Sequence, residues 1–194
     1  ASLEVRFGET LLELVGSEGR PFYHVAALVP GDRGAAAIDW LAERVPLLPD
    51  PETGEGRFSF ESWSARACYV HDPAGTILEL ISLAGIEERG ARGPLSPREL
   101  VGLSEVGLVG DTAAMAARLE HDVGLELWDG VVGVPGRLGF VGERGRSLIL
   151  CPPARGWLPT GRPAEPHPVE VTLSGTGRSE TLLEGGRYRI SSGD

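Results

Sequence analysis

Lysine and asparagine are missing from this sequence altogether, so every basic side chain is an arginine. Those 18 cations stand against 28 carboxylates, and the formal net charge is −10. Nucleic-acid binding needs a basic face that neutralises phosphates, so this balance argues against a nucleic-acid partner. Cysteine is scarce: Cys68 and Cys151 lie far apart, without the close spacing of a thiolate metal site. They read as two buried thiols of a reducing cytoplasm, not as a disulfide framework. Long apolar runs are lacking too, since no segment approaches the roughly 20 residues that cross a bilayer. The first residues lack the basic-then-apolar order of a secretion signal. A soluble, cytoplasmic protein with no membrane partner is the expectation. There is no G-x-G-x-x-G in a strand–helix context and no G-x-S-x-G elbow. That argues against dinucleotide binding and a hydrolase serine.

What is present is ordinary for a globular chain: 194 residues, 41% hydrophobic and 24% charged. Such a length gives one large domain or two small ones, with enough chain to bury a core. Residues 1–15 read as two short strands joined at Gly8-Glu9. FYHVAALV, Phe22 to Val29, is a strongly apolar strand stopped by Pro30-Gly31-Asp32. From Arg33 to Val45 the apolar positions Ala37, Ile38, Leu41 and Val45 recur at helical spacing. After a Pro/Gly-rich loop, strands follow at 57–60, 65–70 and 76–82, the last being TILELIS. The pattern then recurs. Strand 104–109 precedes helix 112–123, and strands follow at 125–128, 138–141 and 147–151. HVAALVPGD aligns with EVGLVGD, Asp32 opposite Asp111, which gives a diverged repeat of roughly 80 residues.

A βαβββ unit leaves one sheet face open, and two units can enclose a pocket that neither forms alone. The expected fold is therefore α+β: two βαβββ modules forming a curved mixed sheet around a shared cavity, with extra strands at both termini. The domain reading is an N-terminal hairpin over 1–21, a first module over 22–83 and a connector over 84–100. A second module spans 101–153, and a C-terminal extension spans 154–194. Val169–Leu173 and Tyr188–Ile190 are expected as a hairpin there, with the last few residues disordered.

His24 interrupts the most apolar strand, and Glu79 stands between Leu78 and Leu80, where a carboxylate is costly to bury unpartnered. Together they offer a divalent cation a neutral nitrogen and a hard anionic oxygen. Glu105 falls at the repeat position of His24 and is the third metal-ligand candidate. The place equivalent to Glu79 falls at Ile149 or Leu150, so no fourth ligand comes from there. The alternatives are a satisfied core histidine at His24, an ion pair between Glu79 and Arg66, and an exposed strand-end Glu105. His71 reads as a turn residue at the rim, with acid or base work the lesser reading. Tyr69 and Trp63 read as core or cavity lining, and Trp157 as surface packing or a cover for the cavity mouth. His121 reads as solvent-facing and His167 as loop.

FYHVAALVPGD and YVHDPAGTILELIS resemble the first- and last-strand motifs of the vicinal oxygen chelate superfamily, and SEVGLVGD to RSLILCPP resembles them more loosely. Its members include glyoxalase I, extradiol dioxygenases and bleomycin-resistance proteins. The resemblance spans about Phe22 to Pro153 and puts His24 and Glu79 at the family's ligand places. It implies a divalent metal ion (iron, manganese, zinc or nickel) chelating adjacent oxygens of a small-molecule substrate, in glyoxalase- or dioxygenase-like chemistry. The alternative is a non-catalytic small-molecule binder of the bleomycin-resistance kind. Departures from the pattern are the apolar last strand of the second module and one His with two Glu. The oxygen-rich set favours a harder metal such as manganese. Paired modules leave open a pocket within one chain or across a homodimer.

Overall fold

The computed structural model describes residues 2–175 and 179–193. The chain divides into two compact units, one of Ala1–Glu105 with Leu158–Thr160, the other of Val106–Trp157 with Gly161–Asp194.

The first unit opens with a hairpin of β1 (Ser2–Phe7) and β2 (Thr10–Val15), paired from Ser2↔Val15 to Phe7↔Thr10. Gly8 in its turn has φ +53°, and a Cβ there would overlap the Val101 carbonyl, so this close approach requires glycine. Then come β3 (His24–Val29), α1 (Gly34–Ala42), β4 (Phe58–Phe60), β5 (Ala65–His71) and β6 (Ile77–Leu83). β7 (Gly102–Val109) begins in this unit and ends in the next. The hydrogen-bonded order here is β4-β5-β6-β3-β7, with β3 and β6 parallel and β5 antiparallel to both β4 and β6.

The pleat sorts the side chains. Ala27 and Val29 of β3, Cys68 and Val70 of β5 and Leu80 of β6 pack with Ile38 and Leu41 of α1. Alternate residues therefore face away from the helix: His24, Ala26 and Leu28 on β3, Tyr69 on β5, Glu79 and Ile81 on β6. α1 is shorter than the Arg33–Val45 helix expected. A 3-10 turn over Gly31–Arg33 takes its first residue, α1 stops at Ala42 rather than Val45, and Arg33 is buried. Its guanidinium donates to Glu99 at 2.9 Å and to the carbonyls of Ala91, Gly93 and Pro94, which ties the polar 84–100 segment down.

The second unit continues with α2 (Thr112–Val123), the helix over the span expected, then β8 (Leu127–Gly130), β9 (Gly139–Glu143) and β10 (Arg146–Cys151). Its order is β7-β10-β9-β8. Two-residue strands β11 (Gly156–Trp157) and β12 (Arg162–Pro163) pair with one another. The chain closes with β13 (Val169–Ser174), β14 (Ser179–Leu183) and β15 (Tyr188–Gly193), ordered β13-β15-β14. The expected terminal hairpin is replaced by a three-stranded sheet. β14 takes the antiparallel place beside β15, so β13 joins β15 in parallel. Leu183, Tyr188 and Ile190 are core residues beside Met115 and Leu119 of α2, and the Tyr188 hydroxyl donates to the Val109 carbonyl at 2.8 Å. The expected disorder at the end of the chain touches Asp194, which lies outside the described residues.

The α+β class and the two βαβββ modules are thus as expected, with strands added at both termini. No helix among the described residues is long and apolar enough to cross a membrane.

Candidate metal centre

The register of the first unit brings its polar residues together on the face away from α1. In the parallel pair Ala26 lies beside Glu79, and in the antiparallel pair Tyr69 lies opposite Glu79. His24 stands two residues before Ala26, on the same side of the pleat. Ala26 carries nothing beyond Cβ, which leaves room for both polar side chains. The His24 Nε2 lies 3.1 Å from Glu79 Oε2. Glu105, from the first part of β7, completes the group: each of the three offers a ligand atom, and these atoms lie within 4.8 Å of one another. His24, Glu79 and Glu105 are only 4%, 2% and 5% exposed.

Two carboxylates at this depth need compensation, because burying an unpaired carboxylate costs several kcal/mol. Among the described residues Arg33 is the one buried arginine, and Glu99 and three carbonyls occupy it. Arg66 is exposed on the opposite side of the pleat, so Glu79 is met by His24 and not by an arginine. Burial first, and then the charge of Glu79, push the Glu105 carboxyl well above the usual range. Both effects favour the protonated form of Glu105. Burial likewise drives the Tyr69 phenol far up, aided by Glu79 and Glu105, so its hydroxyl stays protonated and donates to Glu79. Phe58 meets the Tyr69 ring edge-on at 4.9 Å and fixes it from the other side.

The donor chemistry fits a divalent cation: one imidazole and two carboxylates, converging and dry. Two ligands at right angles around an ion with bonds of about 2.1 Å stand about 3.0 Å apart. The His24–Glu79 separation of 3.1 Å has that spacing. An ion would also remove the reason for Glu105 to hold its proton.

The remaining sequence candidates lie apart from this group. His71 is exposed at the end of β5, and His121 is solvent-facing and bonded to Asp122 at 2.7 Å. His167 lies in a loop 3.3 Å from Glu165, and Trp157 is buried. Trp63 is half-buried beside Phe60. Cys68 and Cys151 are both buried and free. The tie between Tyr69 and Glu79 was missed from sequence, although the signal was there. The turn at 72–76 sets His71 against Ile77, which carries Tyr69 to Glu79 two pairs further on.

No protein-family model matches the sequence, and no curated protein matches it. Solved structures do match in fold. Two variants of glyoxalase I from Zea mays superpose with a TM-score of 0.51 at 13% identity, covering 94% of this chain and 73% or 74% of theirs. A structure from Bacillus subtilis subsp. subtilis gives a TM-score of 0.47 at 16% identity over 87% of this chain. This chain spans 61% of the length of that protein. The fold is that of glyoxalase I, an α+β chain with a curved mixed sheet. Identity this low carries the fold alone.

Proposed function

We propose that the chain binds a divalent metal ion through His24, Glu79 and Glu105 and uses it to hold a small organic molecule by two neighbouring oxygens. The observation that carries this reading is the convergence of one histidine and two glutamates, all buried, with no buried arginine among the described residues left to balance them. When bound, the cation supplies Lewis-acid stabilisation of negative charge developing on adjacent oxygens, as in an enolate or a catecholate. The protein's own groups prepare for this. Tyr69 keeps its proton and donates a hydrogen bond to Glu79, which fixes the carboxylate; hydrogen bonds of this kind are worth about 10–100-fold in metal affinity. Burial favours the neutral form of Glu105, and a bound cation would favour its charged form. Chemistry of the dioxygenase or lyase/isomerase type suits the set, and its oxygen-rich character favours manganese or iron(II) over softer metals. Two unpaired thiols suit a reducing compartment such as the cytoplasm.

A second reading is supported by one observation. Ile149 sits between Leu148 and Leu150 of β10 as Glu79 sits between Leu78 and Leu80, so the second module adds no ligand there. A three-residue set suits a non-catalytic small-molecule binder as well as an enzyme.

Elemental analysis of protein purified without chelator tests both. Stoichiometric manganese or iron, lost in His24→Ala and Glu79→Ala, is the expected result. Titrating metal-free protein with Mn²⁺ should show stoichiometric binding that Glu105→Gln weakens by about tenfold or more. Wild type that holds no metal as purified and binds no Mn²⁺ in this titration overturns the metal reading. Metal binding without turnover of any catechol or enolisable substrate favours the binder.

A further inference from the structure

We propose that the N-terminal hairpin is a dimerisation arm, and that β1 pairs antiparallel with β1 of a second copy of this chain about a two-fold axis at Val5. The hairpin is a sheet of only two strands, and such a sheet is marginal in water by itself. Its two faces differ sharply. Leu3, Val5, Phe7, Leu12 and Leu14 share one face with Thr10, while Ser2, Glu4, Arg6, Leu11, Glu13 and Val15 share the other. At the turn end the apolar face reaches the first unit's core, where Phe7 packs and the Thr10 hydroxyl accepts from Leu103 N–H at 3.0 Å. Away from the turn that face runs out into solvent, with Leu3 60% and Leu14 45% exposed. Among the described residues the outer edge of β1 pairs with nothing. It carries no proline or bulge to block pairing, and its two charges, Glu4 and Arg6, are of opposite sign, so a matched partner strand can neutralise them.

Hydrogen-bond parity and charge then choose the occupant and its register. A two-residue turn closes on a bonded pair, here Phe7 and Thr10, so Leu3, Val5 and Phe7 direct their backbone groups towards β2. Ser2, Glu4 and Arg6 direct theirs outward. A symmetric antiparallel partner must bond to those residues, so the two-fold axis can pass only through a residue of β1 with outward groups matched to outward groups. An axis at Glu4 sets Glu4 against Glu4, and one at Arg6 sets Arg6 against Arg6. An axis at Leu3 leaves only Ser2 against Glu4. An axis at Val5 sets Glu4 against the second copy's Arg6 twice over, Val5 against Val5, and exposed Leu3 against Phe7. Opposite charges directly across a bonded pair stabilise, and like charges destabilise. This register alone satisfies the charges and covers the exposed leucine, giving a four-stranded sheet with one continuous apolar face.

The same geometry supplies a test that leaves the fold intact. Within the hairpin Glu4 faces Glu13, so Glu4→Arg replaces a like-charge pair by an opposite one and does not weaken the monomer. In the dimer the same change sets Arg against Arg at both symmetric positions. Sedimentation of the full chain should give a dimer of wild type, and thermal melts should report the fold. Glu4→Arg and Arg6→Glu should each weaken dimerisation by roughly tenfold or more. The double variant E4R/R6E should restore it. A monomeric wild type, a dimer that tolerates both single changes, or a double variant no better than the singles would overturn the proposal.

Discussion

The two modules repeat one plan and differ at its centre. On β6 Leu78 and Leu80 pack towards α1 and Glu79 turns the other way. On β10 Leu148 and Leu150 enter the core beside α2 and Ile149 turns the other way. Both central residues are nearly inaccessible, Glu79 at 2% and Ile149 at 3%. A branched hydrocarbon gains from that burial, by about 1.5–3 kcal/mol. A carboxylate loses by it unless something compensates. The pleat is shared, so backbone does not require Glu79; its partners His24, Tyr69 and Glu105 give it a reason to be there. The second module spends the same position on packing. In the proposed reading the last strand of the first module brings a ligand, and the last strand of the second brings only packing.

If that division is right, Ile149→Ala should cost about 2–5 kcal/mol of stability, because it leaves a cavity in a closed site. Urea unfolding should record the loss while Mn²⁺ affinity of the folded protein stays at its wild-type value. A fall in metal affinity with little loss of stability would break the comparison. The thiols sharpen it further. Cys68, in the first module, is pushed up to about 12, by burial first and then by the charge of Glu79. Cys151, in the second, is pushed up to about 11 by burial, with Arg155 pulling it down. Each stays protonated in the fold where an unfolded thiol ionises near 9.0. Above pH 9 the unfolded state therefore binds fewer protons, and stability falls by about 1.4 kcal/mol per pH unit per thiol. That fall should persist to about pH 11 for Cys151 and about pH 12 for Cys68. Urea midpoints from pH 8 to 11 for Cys68→Ala and Cys151→Ala should each show a shallower decline than wild type. An unchanged slope in either variant removes that thiol from the account.

Much of this was legible in the sequence, because periodicity reports burial. The Leu-Glu-Leu of TILELIS announces a carboxylate on an apolar strand, and HVAALV announces a histidine on another; each sits where alternation puts it. The Asp111 to Gly124 interval carries its own start and stop, an aspartate cap and a left-handed glycine, and α2 fills it. What failed depended on long-range pairing. β14, SETLL, is polar enough to pass for loop, and becomes a strand because Thr181 and Leu183 are buried there and Arg118 of α2 reaches the Thr181 hydroxyl. Without β14 the parallel pairing of β13 and β15 was out of reach. The first helix was overextended by one residue at its start, where Arg33 is drawn into the carbonyls of the 91–94 segment, and by three at its end, where α1 stops at Ala42. No periodicity records that pull.

The repeat's aligned aspartates give the smallest and finest comparison. Asp111 accepts hydrogen bonds from the Ala113 and Ala114 amides at 3.1 and 3.0 Å, capping α2. Asp32 caps no helix: it accepts from the Gly90 amide at 2.7 Å and the Arg89 amide at 3.4 Å, holding the chain that leaves the first module. Aligned positions of the repeat thus do two different jobs. Removing a helix cap costs about 1 kcal/mol, so Asp111→Ala should lower global stability by about that much. Asp32→Ala, at an exposed loop contact, should cost about 0.5 kcal/mol or less. Its mark should be local, as faster hydrogen exchange at the Gly90 amide while α2 amides keep their protection. Asp111→Ala should show the reverse, with exchange accelerated in the first turn of α2. Equal global costs, or a change in α2 protection on removing Asp32, would mean that the two aspartates still share one role.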